Sequence, residues 1–228
     1  MKAALVLLPG MDGTGELFGP LLGQLGQDVD ATVVRYPDRR ANYAEHEMVA
    51  RRELPKDRPF VILGESFSGP VAVSIAAAPP PNLRGLVLCA SFVTCPHALL
   101  RLLRPLTPIA TPKLVPGFIA HHSLLGRFAT PALRAAHASA LNQVSSATLT
   151  ARLRAMADID VREKLAKIAA PALYLRATSD RVVSVRHGDE FLKHARNGRL
   201  VEIEGPHFLL QASPEESARH IRDFVALV

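Results

Sequence analysis

The chain has 228 residues, enough to bury a full hydrophobic core, so folding requires neither a disulfide framework nor a structural metal. Hydrophobic residues at 48% and charged residues at 21% exclude a disordered chain, and two cysteines six positions apart exclude a disulfide-rich scaffold and favour a reducing, cytoplasmic setting. The net charge of +6 is unevenly placed: residues 91–170 carry +7 and the rest of the chain −1.

In chain order, short apolar runs alternate with longer amphipathic stretches. The run after Met1 and Lys2, Ala3–Leu8, is too short for a signal-peptide core and is followed by no small-residue cleavage site, so it reads as a buried parallel strand. Ala31–Arg35, Phe60–Leu63, Gly85–Ala90, Ala172–Arg176 and Leu200–Ile203 read as further strands. The stretches near 15–26, 43–54, 69–78, 185–195 and 214–227 read as helices. Such alternation predicts a mostly parallel sheet of about six strands covered by helices on both faces. Between residues 90 and 172 the rhythm breaks, and the interval contains Pro96, Pro105, Pro108, Pro112, Pro116 and Pro131, with a helical pattern from about Thr130 to Lys167. A structureless loop of that length is improbable. The expected organisation is therefore a core of residues 1–90 and 171–228, with residues 91–170 inserted after the fourth strand as a helical cap. The apolar stretch from Leu99 to Ala120 is interrupted by Arg101, Arg104, Lys113 and four prolines, so no membrane span is expected there.

Chemistry-bearing residues fall at the C-terminal ends of the expected strands. Phe60–Leu63 leads into Gly64-Glu65-Ser66-Phe67-Ser68-Gly69 and then an apolar helix. A serine on a sharp strand-to-helix turn presents its Oγ away from the backbone, and the helix start lends positive potential to a developing oxyanion. The usual spacing is Gly-x-Ser-x-Gly; here Ser68 occupies the second glycine position and Gly69 follows, a small-for-small change the turn is expected to survive. The first strand runs into Pro9-Gly10-Met11-Asp12-Gly13-Thr14-Gly15, which lacks the lysine of a phosphate-binding loop. Its expected use is to present backbone N–H groups, with Met11 as one oxyanion donor and Phe67, the residue after the serine, as the other. Asp12 is expected to brace its own loop through an Asx turn. Asp180 follows the fifth strand and His207 the sixth, giving the order Ser, Asp, His. Serine becomes a competent nucleophile only when an imidazole takes its proton, and the imidazole needs an anion to fix its tautomer. The other eight histidines lack this setting. His121-His122 has the wrong spacing for one metal site, and neither metal nor cofactor is expected.

With these four elements in order, the chain resembles the α/β-hydrolase superfamily over essentially its whole length, and more closely the small bacterial esterase or lipase-like hydrolases carrying Pro-Gly-x-Asp-Gly-Thr-Gly and Gly-Glu-Ser-Phe-x-Gly, here Pro9–Gly15 and Gly64–Gly69. Two departures stand out. Pro9-Gly10 replaces the His-Gly of many relatives, and the family's first two strands are missing, which places the N-terminal strand inside the sheet. The resemblance implies an α/β-hydrolase fold and hydrolysis of a small-molecule carboxylic ester through an acyl-enzyme on Ser66. The apolar residues Leu99, Leu100, Leu102, Leu103, Leu106, Ile109, Leu114, Phe118 and Ile119 are expected to pack the cap onto the core and to favour an apolar acyl or alcohol group. The basic excess of residues 91–170 reads either as a solvated helical surface or as a landing site for an acyl group on coenzyme A or an acidic carrier, with Arg152 and Arg154 as candidate contacts. A ligand-binding receptor retaining the fold is the alternative from another class. No interleaved aromatics support a nucleic-acid partner.

Overall fold

A computed structural model describes residues 3–27, 29–97, 113 and 115–228. Six strands, β1 (Ala4–Leu8), β2 (Ala31–Val33), β3 (Phe60–Glu65), β4 (Leu83–Cys89), β5 (Ala172–Ala177) and β6 (Gly198–Ile203), form one sheet in the order β2-β1-β3-β4-β5-β6. Every neighbouring pair is parallel. The four inner strands, β1, β3, β4 and β5, are near-continuous apolar runs because they are buried on both faces, whereas the edge strands β2 and β6 are only partly buried. Ala4, Val6 and Leu8 of β1 point to one side, with Phe60, Ile62, Leu86, Leu88 and Tyr174. Leu5 and Leu7 point to the other, with Val61, Leu63, Val87, Leu173 and Leu175.

On the first face lie α2 (Tyr43–Arg52), α3 (Gly69–Ala77) and α8 (Arg186–His194), contributing Ala50, Val71, Ile75 and Phe191. On the second lie α1 (Gly19–Leu25), the single turn α9 (Leu209–Ala212) and α10 (Pro214–Leu227), contributing Leu21, Leu25, Leu209, Ile221 and Phe224. Local sequence sets the boundaries. Asn42 opens α2 with a capping box to Glu45, and proline stands in the first turn of α1, α3 and α10, where its missing N–H costs nothing.

Between β4 and β5 the chain forms α4 (Gly117–Leu124), α5 (Pro131–Asn142), α6 (Ser146–Ala157) and the single turn α7 (Arg162–Leu165). Thr130 and Ser145 cap α5 and α6, each accepting the N–H three residues on. Helix thus begins at Gly117 rather than near Thr130, and Ser145 divides what the sequence pattern shows as one stretch. The leucine-rich residues 99–112 and Leu114 lie outside the described residues. Phe118 and Ile119, expected to pack inward, are instead 75% and 45% exposed. Among the described residues no helix is long and apolar enough to cross a membrane.

The strand order positions the site. From β1 the chain moves outward to β2, then returns to place β3 on the other side of β1. The loops leaving β1 and β3 therefore diverge in opposite directions, and a crevice opens between them at the carboxyl ends of the strands.

Candidate active site

Ser66 stands at the turn out of β3 with φ of 46°, a left-handed conformation that is uncommon for any residue with a side chain. The turn closes tightly on itself. A Cβ on Gly64 would lie 2.6 Å from the Ser68 carbonyl oxygen, and one on Gly69 would lie 1.8 Å from Ser91 Oγ. Both glycines are required by close approach. Ser68 itself sits in right-handed helical backbone (φ −85°), so its position demands no glycine. The Ser91 hydroxyl donates to the Ser66 carbonyl at 2.6 Å, tying the turn to the end of β4.

The structure brings the three expected side chains together. Ser66 Oγ lies 2.9 Å from His207 Nε2, and His207 Nδ1 lies 2.8 Å from Asp180 Oδ2. The backbone N–H groups of Val182 and Val183 donate to Asp180 Oδ1 at 2.7 and 2.8 Å. An acceptor already engaged by two amides and facing a ring nitrogen acts as a carboxylate, so Nδ1 carries the proton and Nε2 is left to accept from the serine. The side chains of His207 and Asp180 are both buried.

The loop after β1 is held at every carbonyl from Pro9 to Gly13. Ser68 Oγ donates to the Pro9 oxygen, and Gly13 N–H donates to Gly10 O at 3.1 Å. Arg152 Nη1 donates to Met11 O at 2.9 Å and to Asp12 O at 2.7 Å, and Tyr36 N–H donates to Gly13 O at 2.8 Å. Asp12 forms its expected local turn, accepting from Thr14 N–H and from the Thr14 hydroxyl. Phe67, in the first turn after the serine, has an N–H outside the helical ladder.

Two charged groups in this region were not legible as site residues. Arg152, expected on a solvated face or at a cleft mouth, is fully buried; this corrects its reading as a landing contact. Burial lowers its pKa, and Asp12, Tyr36 and Asp38 oppose the shift. A signal was present in α6: Leu149, Arg152, Leu153 and Met156 share one helical stripe, so Arg152 lies on the apolar face. Glu65 is also buried beside the nucleophile, accepting from Gln211 Nε2 at 2.9 Å. Burial pushes its pKa up to about 7, and the neighbouring Asp12 adds to the rise, against Gln211, His207 and the Gly10 amide. No local pattern distinguishes Glu65 from any residue preceding a turn.

These groups surround a cavity of about 230 Å³. Ser66, His207, Gly10 and Met11 form one end, while Leu17, Phe92, Val182 and Phe208 line the walls. From the β4–β5 segment come Leu124, His137, Leu141, Leu153 and Met156. His97 lines it, whereas His187 packs edge-on to Phe92 outside it. Burial lowers the pKa of His137 and favours its neutral ring. Cys89 is buried, and both cysteines are free thiols.

A six-stranded parallel sheet with a serine turn at its switch point defines an α/β hydrolase. The chain belongs to the family described as serine aminopeptidase, S33, whose model matches residues 31–207. Among solved structures, the enol-lactonase from Burkholderia xenovorans LB400 superposes with a TM-score of 0.85 at 15% identity, covering 99% of this chain and 92% of that one. An esterase from Exiguobacterium antarcticum gives 0.82 at 16% identity, covering 99% and 93%. A lipase-esterase related protein from Clostridium acetobutylicum ATCC 824 gives 0.81 at 16% identity, covering 97% and 94%. At these identities the likeness is one of fold. No curated protein is similar enough in sequence to stand as a relative.

Proposed function

We propose that this hydrolase cleaves carboxylic esters of small or medium apolar acyl groups through an acyl-enzyme on Ser66. The observation that carries the reading is the unbroken hydrogen-bond chain from Ser66 through His207 to Asp180 at one end of an apolar cavity. In the first half-reaction His207 Nε2 takes the Ser66 proton as Oγ attacks the ester carbonyl. The imidazolium formed is stabilised by Asp180 and returns the proton to the departing alkoxide. In the second half-reaction the same nitrogen activates water against the acyl-enzyme. The N–H groups of Met11 and Phe67 are the proposed donors to the tetrahedral oxyanion. Residues 91–170 act in this reading as a cap, since five of the cavity residues come from helices of that segment. A cavity of about 230 Å³ is smaller than the roughly 300–1,000 Å³ typical of drug-sized ligands, which favours short acyl groups. No step calls for a cofactor.

The reading of the basic segment as a landing site for an acidic carrier is weakened. Arg152 is buried, Arg162 pairs with Asp160, and Arg127 pairs with Glu204. A panel of p-nitrophenyl esters of increasing chain length, an acyl-coenzyme A and an aminoacyl p-nitroanilide tests the proposal. Turnover is expected to be highest for short esters and abolished in Ser66→Ala. Preferential turnover of the thioester or the anilide would overturn the ester reading. Failure of a fluorophosphonate probe to label Ser66 would overturn the serine mechanism and favour a binding protein.

A further inference from the structure

Arg152 is a buried cation with no carboxylate in ion-pair contact among the described residues. Its Nη1 donates to two successive carbonyls of the loop after β1, Met11 O and Asp12 O, and its Nη2 to Pro37 O at 3.3 Å. The guanidinium carbon lies 5.8 Å from the centre of the Tyr36 ring, whose hydroxyl is 2.9 Å from Ser68 Oγ. The loop is shaped to receive it: Gly13 has φ of 73°, and a Cβ there would lie 2.5 Å from Arg152 Nη1. The helix carrying Arg152 is anchored separately, with Asp38 accepting from the Ser145 amide and hydroxyl at 2.9 Å each. A buried arginine is expensive unless its donors are used; here Nη1 and Nη2 are used on backbone carbonyls, two of them in the loop that lines the cavity, while the buried Nε has no hydrogen-bond partner among the described residues.

The consequence falls on Met11. The Gly10–Met11 peptide bond is trans, so the Met11 N–H points opposite to the Gly10 carbonyl across their shared plane. Gly10 O is fixed by Gly13 N–H, and Met11 O by Arg152. Both peptide planes flanking Met11 are therefore held, one from within the loop and one from α6. We propose that Arg152 is a positioning residue that presets the Met11 N–H as an oxyanion donor, so that the β4–β5 segment contributes to catalysis as well as to the cavity wall. This inference rests on the serine-hydrolase reading above. It also gives Ser68 a role: by donating to the Pro9 carbonyl it secures the start of the same loop, which glycine at that position would leave untied.

The test compares wild type with Arg152→Met and Arg152→Lys on a short p-nitrophenyl ester. Active sites are counted by fluorophosphonate titration, and affinity is measured for a trifluoromethyl ketone that forms a tetrahedral adduct on serine. Arg152→Met is expected to lower kcat per active site by about 10²-fold, the scale of losing one oxyanion donor, with KM changed by less than about 3-fold. Affinity for the ketone falls by a similar factor. Arg152→Lys, whose single ammonium reaches one carbonyl better than two, falls in between. A purely structural role would reduce the fraction of active sites and the melting temperature while leaving kcat per site and ketone affinity unchanged, and that result overturns the inference. Should Arg152→Met fail to fold, Arg152→Lys decides: an unchanged kcat per site overturns the proposal, and a fall of about tenfold or more at constant KM supports it. A wild-type chain inert to the whole ester panel removes the serine-hydrolase reading and this inference with it. An active wild type with indifferent Arg152 variants removes the inference alone.

Discussion

The turn after β3 and the loop after β1 meet at the same point of the sheet, yet they are held by different means. The turn is shaped by its own glycines, since Gly64 and Gly69 let strand and helix touch around the left-handed Ser66, with one tie from Ser91 at the end of β4. The loop is held from afar, by Tyr36, Ser68 and, 140 residues along the chain, Arg152. A locally determined element fails when its packing is crowded. An element held from outside can keep its place in the fold and still lose its geometry. The difference yields measurements of decreasing size.

The largest effect is expected at the turn's own side chain. Ser66→Ala removes the proposed nucleophile and should lower kcat on the order of 10⁴-fold or more, measured on p-nitrophenyl esters. The urea midpoint should change little, because alanine keeps the Cβ and the left-handed backbone as they are and removes only one partly buried hydrogen bond, worth about 1 kcal/mol.

Next comes a pair of glycines. Gly69→Ala drives a methyl into Ser91 and should cost about 1–3 kcal/mol or more, lowering Tm by several degrees. Gly10→Ala in the β1 loop meets only ordinary contacts, at 3.6 Å from Asp12 and 3.9 Å from Glu65, and should be within about 1 kcal/mol of wild type. Equal losses at both positions would erase the distinction between the two segments.

Glu65 sharpens the comparison through pH. Its carboxyl is raised to about 7 by burial, above its unfolded value of about 4.3, so the native state binds the extra proton. Its contribution to stability is complete below the unfolded pKa and is lost as pH rises through about 7. Relative to Glu65→Gln, wild type should therefore lose up to about 3 kcal/mol between pH 4.5 and pH 8. Parallel stability curves for the two proteins would mean that Glu65 is ionised throughout. The smallest effect is expected outside both loops: Arg127→Gln breaks an exposed ion pair with Glu204 and should shift stability by less than about 0.5 kcal/mol.

The same contrast explains what was legible in the sequence. The six strands, the five helices around them and the three side chains now seen in contact each carry a short-range signature. Each is an apolar run, a capped amphipathic stretch, or a polar residue just past a strand. Strand ends moved by only a few residues, as β3 continued through Glu65 and β4 began at Leu83. Arg152 and Tyr36 carry no such signature toward the loop, because their roles depend on how α6 lies across the sheet. Net charge misled for the same reason: counted along the chain, Arg152 adds to a basic surface, whereas in the fold it lies inside. Ser68 looked like a blemish in a glycine motif and is a hydrogen-bond donor to the neighbouring loop.

The placement of Arg152 bears on how freely such enzymes exchange parts. An insertion that only roofs a pocket is a replaceable module, and grafting another in its place would retune selectivity while leaving turnover intact. Here a transplanted segment would bring its own walls but leave the Met11 and Asp12 carbonyls without their donor and Gly13 facing an empty space. If Arg152 presets the Met11 N–H as proposed, recombination at the junctions near Ala90 and Ala172 keeps turnover only with donors that supply a cation at the same helical position, and selectivity and turnover are inherited together.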